Sequence, residues 1–95
     1  MSKKIVFLKV SNCAPCKQFE PVFDKLTAEF NLPVEKRTDD VDSIRKFGLR
    51  TVPAVVLVDV ENGREEAHHI LSGATLRSAV VSKAIQDFID YVEEY

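Results

Sequence analysis

Cys13 and Cys16 are the only cysteines in the chain, and two residues separate them. They follow the apolar run Ile5-Val6-Phe7-Leu8, which reads as a strand, and they open a stretch with helical periodicity. A C-x-x-C pair at a strand-to-helix junction is the pattern of a dithiol redox site. With Cys13 as the N-cap, Cys16 falls at N3, on the same face and one turn further in. The unpaired backbone N–H groups of that first turn point towards the Cys13 sulfur, and the helix dipole adds partial positive charge there. Both effects favour thiolate over thiol, so Cys13 is expected to titrate below the roughly 8.5 of a free cysteine. Pro15 at N2 stiffens the turn at a position that needs no intrahelical donor. Lys17 adds a nearby positive charge. In this arrangement Cys13 is the exposed nucleophile and Cys16 the inner, resolving thiol.

Two other readings stand beside this one. Cysteines can be small buried hydrophobes, and a C-x-x-C can be half of a zinc site. Zinc would need two further ligands. The only histidines, His68 and His69, are adjacent, and on a regular strand they would point to opposite faces. A metal is therefore not expected, and dithiol–disulfide exchange needs no bound cofactor.

The elements that position the pair must come from one domain, residues 1–95, small enough that a single core has to suffice. Apolar content of 45% against 29% charged is globular composition and excludes a disordered chain. A net charge of −2 offers no electrostatic footprint for nucleic acid or an anionic membrane. The apolar run after Lys3 and Lys4 is too short for a signal sequence, and Lys9 interrupts it. No later stretch approaches the roughly 20 apolar residues of a membrane span. The expected location is the cytoplasm, where structural disulfides are rare and a C-x-x-C pair is expected to cycle rather than to staple.

Residues 4–10 are expected to form a central first strand, since Ile5 to Leu8 is apolar on both faces. The first helix is expected from about Cys13 to Phe30, with Phe19, Val22, Phe23, Leu26 and Phe30 as one apolar stripe. Pro21 lies inside it and should remove one backbone hydrogen bond and kink the axis. Val34 to Arg37 reads as a short strand. Asp39, Asp40 and Asp42 read as acids at a helix start rather than a calcium loop. Ile44 and Phe47 face inward from a short helix that Gly48 ends. Thr51-Val52-Pro53 leads into the apolar strand Ala54–Val58, Glu61-Asn62-Gly63 is a turn, and Arg64 to Leu71 is the hairpin partner. After Ser72-Gly73-Ala74-Thr75, a last helix is expected from about Leu76 to Glu93, with Leu76, Val80, Ala84, Phe88 and Val92 on its buried face. The order is β-α-β-α-β-β-α. It predicts an α/β fold, a four-stranded mixed sheet with three flanking helices on both faces.

With motif, prolines and element order in hand, the chain resembles the thioredoxin superfamily over nearly its whole length. Cys13-Ala14-Pro15-Cys16-Lys17 is similar to that family's C-G-P-C-K, and Pro21 matches its helix-kinking proline. Phe47-Gly48-Leu49-Arg50-Thr51-Val52-Pro53 resembles the segment ending in its cis-proline, and Ser72-Gly73-Ala74 falls where the family has Gly-Ala before the last helix. The resemblance implies a thioredoxin-like fold in compact form. It also implies that Pro53 is cis and faces the Cys13 sulfur, that Val52 offers its backbone to an extended substrate, and that Gly73 lets that substrate approach closely.

Three departures stand out. Asn12 replaces the aromatic residue that usually precedes the first cysteine, Ala14 replaces glycine, and Phe7 stands where the family has a buried aspartate. Without that acid, Cys16 is expected to lose its proton to water or to the departing thiolate. Glutaredoxins share the topology and the T-V-P sequence, but here Val10 holds their basic position and Ala74-Thr75 follow a single Gly73. The expected function is thus a monomeric thiol–disulfide oxidoreductase acting on protein disulfides, re-reduced by a thioredoxin reductase rather than glutathione. A glutathione-dependent glutaredoxin and a binding subunit without turnover are the alternatives.

Overall fold

The computed structural model describes residues 2–91. Strand β1 (Ser2–Lys9) leads to helix α1 (Ala14–Thr27), strand β2 (Val34–Thr38) and helix α2 (Val41–Lys46). Strands β3 (Ala54–Glu61) and β4 (Arg64–Ser72) form the hairpin, and a single 3₁₀ turn (Gly73–Thr75) precedes helix α3 (Ser78–Asp90). The sheet order is β2-β1-β3-β4, with β1 parallel to β2 and antiparallel to β3. This is the four-stranded mixed sheet with three helices that the element order predicts.

Burial explains why β1 and β3 lie at the centre. Ile5 to Leu8 and Ala54 to Val58 are each fully buried, which requires cover on both faces of the sheet. Alternate side chains then feed two cores. Ile5, Phe7, Val55, Leu57 and Leu71 pack with Phe23 and Leu26 of α1 and with Val81, Ile85 and Phe88 of α3. Val6, Leu8, Val56 and Val58 pack beneath Phe47, with Ile44, Leu49 and Val60 at the margin. Phe7 sits 4.6 Å from Phe23 and 6.3 Å from Phe19, ring centre to ring centre, so position 7 is apolar on every side that faces α1.

Several ends differ from expectation, each for a local reason. Helix α1 stops at Thr27, not Phe30. The Thr27 hydroxyl donates to the Phe23 carbonyl (2.8 Å), and Glu29 and Phe30 then form tighter three-residue turns onto Leu26 and Thr27. Val22 is 40% exposed and lies outside the apolar stripe. Helix α3 begins at Ser78 because Leu76 still closes the 3₁₀ turn, its N–H donating to Gly73. Its fully buried residues are Val81, Ile85 and Phe88; Leu76 and Ala84 pack against the same core as expected, and Val80, expected there too, is 40% exposed. Val92, assigned to that face from the sequence, lies outside the described residues. The turn at Asn62-Gly63 is as expected: both residues have positive φ (54° and 77°), the requirement of a two-residue hairpin turn. Helix α2 ends with the Gly48 N–H on Arg45 and the Leu49 N–H on Ile44, the double-bonded helix stop. Among the described residues no helix is long and apolar enough to cross a membrane.

Helix α2 covers only part of its face. The rest carries an ion-pair network: Glu65 on β4 meets Lys4 (2.6 Å), Arg37 (2.7 Å) and Lys46 (2.9 Å), and Glu35 meets Lys4 and Arg37. The hydrogen bond from Arg37, followed by that from Lys4, holds the Glu65 carboxyl far below the usual carboxylate range. A group whose pKa falls on folding contributes stability above its unfolded value and loses it as pH falls through and below that value. Glu65→Gln should therefore cost about 1–2 kcal/mol at neutral pH. It should also flatten the loss of stability on acidification below pH 4.5, the ordinary value for this carboxyl. Urea unfolding of both proteins at neutral and acid pH measures this; equal acid sensitivity would show that the network adds no pH-linked stability.

Candidate active site

Strand β1 ends at Lys9, and four residues then carry the chain to the start of α1. Asn12 adopts a left-handed φ of 57°, which turns Cys13 into the N-cap position with extended backbone (φ −113°, ψ 106°). The turn is anchored from the end of the neighbouring strand. Asp39, just beyond β2, accepts hydrogen bonds from the Ser11 hydroxyl and from its backbone N–H (2.8 Å), and these bonds lower the Asp39 pKa. The Asp39 N–H in turn donates to the Lys9 carbonyl (2.9 Å).

The helix-start geometry read from the spacing is present. Cys13 caps α1, Ala14 and Pro15 occupy its first two positions, and the Cys16 N–H donates to the Cys13 sulfur at 3.2 Å. The two cysteines form a disulfide across 5.2 Å between Cα atoms. Cys16 is 2% exposed, whereas Cys13 is half-buried and Ala14, Pro15 and Lys17 are exposed. A backbone donor aimed at Sγ, reinforced by the helix dipole, stabilises negative charge on Cys13 when the disulfide is open. Burial acts against charge on Cys16.

Beside the disulfide lies a groove of about 340 Å³ lined by Pro15, Gln18, Phe19, Thr51, Val52, Pro53, Gly73 and Leu76. The fold thus brings together four residues singled out from the sequence: Pro15, Val52, Pro53 and Gly73. The Val52–Pro53 peptide bond is cis. Gly73 has a φ of 58°, and a Cβ built there would meet no protein atom within 4 Å, so the backbone angle rather than crowding calls for glycine. Ala14 and Lys17 do not line the groove. Gln18, Phe19, Thr51 and Leu76 were missed as groove residues. Phe19 and Leu76 carry the periodicity of core positions, and the only signal for the other two was their place next to the motif and the proline.

Glu20, one helical turn beyond Cys16 in the chain, is a further residue the sequence did not single out. It pairs with Lys36 and Lys9, both at 2.8 Å, and these hydrogen bonds, Lys36 first, hold its pKa down. An acid so stabilised as carboxylate is a poor proton acceptor for a thiol. The spacing C-x-x-C-x-x-x-E could have revealed its place on the cysteine face.

The histidine pair departs from expectation. A register shift between Leu57 and Val58 inserts His68 as an extra residue in β4. His68 and His69 therefore do not face opposite sides; both line a second concavity of about 450 Å³ against α3, and the His68 ring lies 5.0 Å from that of Phe88. Among the described residues no group of three or more His, Cys, Asp or Glu is placed to hold a metal ion.

No family model and no curated protein matches the chain by sequence. Solved structures do match its shape. The thioredoxin of Trypanosoma brucei brucei superposes with a TM-score of 0.73 at 18% identity, over 95% of this chain and 77% of its own. Thioredoxin 1 of Thermosipho africanus gives 0.71 at 18% identity, over 92% and 94%. The reduced thioredoxin pre-protein of Schistosoma mansoni gives 0.70 at 23% identity, over 92% and 79%. The chain has the thioredoxin fold.

The burial difference predicts which thiol reacts. After reduction, iodoacetamide at neutral pH should modify Cys13 first and Cys16 slowly, as read by mass mapping of the labelled peptides. Earlier labelling of Cys16 would overturn the assignment of inner and outer thiols.

Proposed function

We propose that this protein is a thiol–disulfide oxidoreductase that reduces protein disulfides through the Cys13–Cys16 dithiol. The observation that carries the reading is the cysteine pair itself: joined as a disulfide at a helix start, with one backbone N–H on Cys13 and a groove alongside. The Cys13 thiolate attacks one sulfur of a substrate disulfide. A Cys13–substrate disulfide forms, and the other substrate sulfur leaves as a thiolate that takes a proton from solvent. Cys16 then loses its proton and attacks the Cys13 sulfur. The Cys13–Cys16 disulfide closes, and the second substrate sulfur leaves as thiolate. Two electrons and two protons pass to the substrate in all.

In this reading Val52, Pro53 and Gly73 hold an extended substrate segment in the groove, and Ala14, Pro15 and Lys17 tune the reactivity of Cys13. No bound cofactor takes part. A separate reductase restores the dithiol. A thioredoxin reductase is favoured over glutathione by Val10 and by the single Gly73 followed by Ala74-Thr75, where a glutathione groove would carry other groups. The protein acts as a monomer in the cytoplasm, where such thiols stay reduced between cycles.

Insulin disulfide reduction tests the chemistry directly. Cys13→Ser should reduce turnover to the uncatalysed rate. Cys16→Ser should attack once and stall as a stable mixed disulfide, visible as a mass addition that dithiothreitol releases. Turnover by Cys13→Ser, or its absence in the unmodified protein, would sink the proposal. Comparing thioredoxin reductase with the glutathione system as electron source decides the donor.

The pH profile tests the chemistry of Cys16. With Phe7 in place of an acid and Glu20 held as carboxylate by two lysines, release of a Cys13 mixed disulfide should rise across about pH 5 to 10, following the thiolate fraction of Cys16. Single-turnover release measures it, and a plateau near neutrality would mean that a protein group accepts the proton.

A further inference from the structure

The 15 acidic side chains are distributed unevenly along the chain. Residues 1–19, 43–58 and 67–86 contain none of them, yet hold 9 of the 13 lysines and arginines. Every residue lining the groove beside Cys13 comes from one of these three stretches. The fold therefore converts three separate acid-free segments into one surface.

Each wall of that groove has a cation next to it in the chain: Lys17 beside Gln18, Arg50 beside Thr51 and Arg77 beside Leu76. All three side chains belong to exposed residues. None of them forms an ion pair among the described residues, whereas Lys4, Lys9, Lys36, Arg37 and Lys46 all do. The carboxylates near this end lie on its other side. Asp39 and Asp40 follow β2, the far edge strand, and are engaged by Ser11 and Ser43, while Glu20 is matched by Lys9 and Lys36. Across the sheet the groove opens next to β3 and β4, and its lining carries no carboxylate to match the adjoining cations.

We infer that the groove selects disulfides set in acidic, extended peptide segments, with Arg50, Arg77 and Lys17 receiving the carboxylates that flank the reacting cysteine. The inference deepens the oxidoreductase reading and rests on it; the sulfur chemistry and its two electrons are unchanged. Exposed ion pairs add little affinity, so the selection acts on the rate of productive encounter and is sensitive to salt. The sign is diagnostic. The net charge of −2 would by itself repel an acidic peptide, and added salt would then speed the reaction. A local cationic groove makes added salt slow it.

The test uses three synthetic peptides with the same internal disulfide, flanked by glutamates, by lysines or by neutral residues. Their reduction by the reduced, full-length protein is followed by stopped flow at ionic strengths of about 0.02 M and about 0.5 M. The glutamate peptide should react about tenfold or more faster than the lysine peptide at low salt, with the gap narrowing to about twofold at high salt. In Arg50→Glu/Arg77→Glu the order of the two peptides should invert. Equal rates for the charged peptides, or a glutamate-peptide rate that rises with salt, would overturn the charge selection alone, provided the neutral peptide is reduced. Failure to reduce the neutral peptide would overturn the oxidoreductase reading. Should the double variant not fold, the salt dependence of the unmodified protein decides.

Discussion

The burial of Ile5 to Leu8 on both faces of the sheet is the constraint from which the rest follows. Four consecutive apolar side chains cannot be covered by a single layer, so β1 must lie inside the sheet with helices on both sides. The α1 crossover then sets β2 parallel along one edge of β1, while β3 pairs antiparallel along the other. At the end where β1 stops, β3 begins and β4 finishes. The Cys13 turn, the Val52–Pro53 bond and the Gly73 turn meet there because those are the strand ends available. The Ser11–Asp39 contact ties the first of these turns to β2, the edge strand next to β1.

The two faces of the sheet solve the covering problem differently. Towards α1 and α3 the wall is aromatic and aliphatic, with Phe7, Phe23 and Phe88 fully buried. On the other face α2 is only six residues long, and charged side chains from three strands cover what it leaves. Partly exposed carboxylates and cations keep much of their hydration, so a network there avoids the desolvation penalty that the same groups would meet beneath α1.

The thioredoxins superposed on this chain share its fold at 18–23% identity, so the shape is common although most residues differ. Position 7 illustrates the distinction. A phenylalanine there satisfies the pattern of β1 and adds aromatic packing worth about 0.5–1.5 kcal/mol per ring pair, but it leaves no titratable group at that place. Glu20 supplies a carboxylate one turn from Cys16, yet two lysines stabilise its charged form. At position 7 this chain relies on shape and burial.

What depends on neighbours along the chain is legible in the amino-acid sequence. The cysteine spacing, the turn residues Asn62-Gly63, the apolar runs of β1 and β3 and the helix start at Cys13 all obey local rules, and each holds. The element order and mixed sheet follow from them. What depends on contacts across the fold is not legible there. Periodicity places Phe88 and Ala84 of α3 on the core side correctly but puts Val80 there too, whereas the fully buried neighbours of Phe88 are Val81 and Ile85. The two histidines share a face only because a β-bulge in β4 adds a residue that β3 does not match. Phe19 and Leu76 border a groove, although their spacing is that of core positions. Gathering three acid-free stretches around one groove requires the sheet to bring together residues more than 50 positions apart in the chain. Periodicity reports which side of an element is apolar; only packing decides what that side meets.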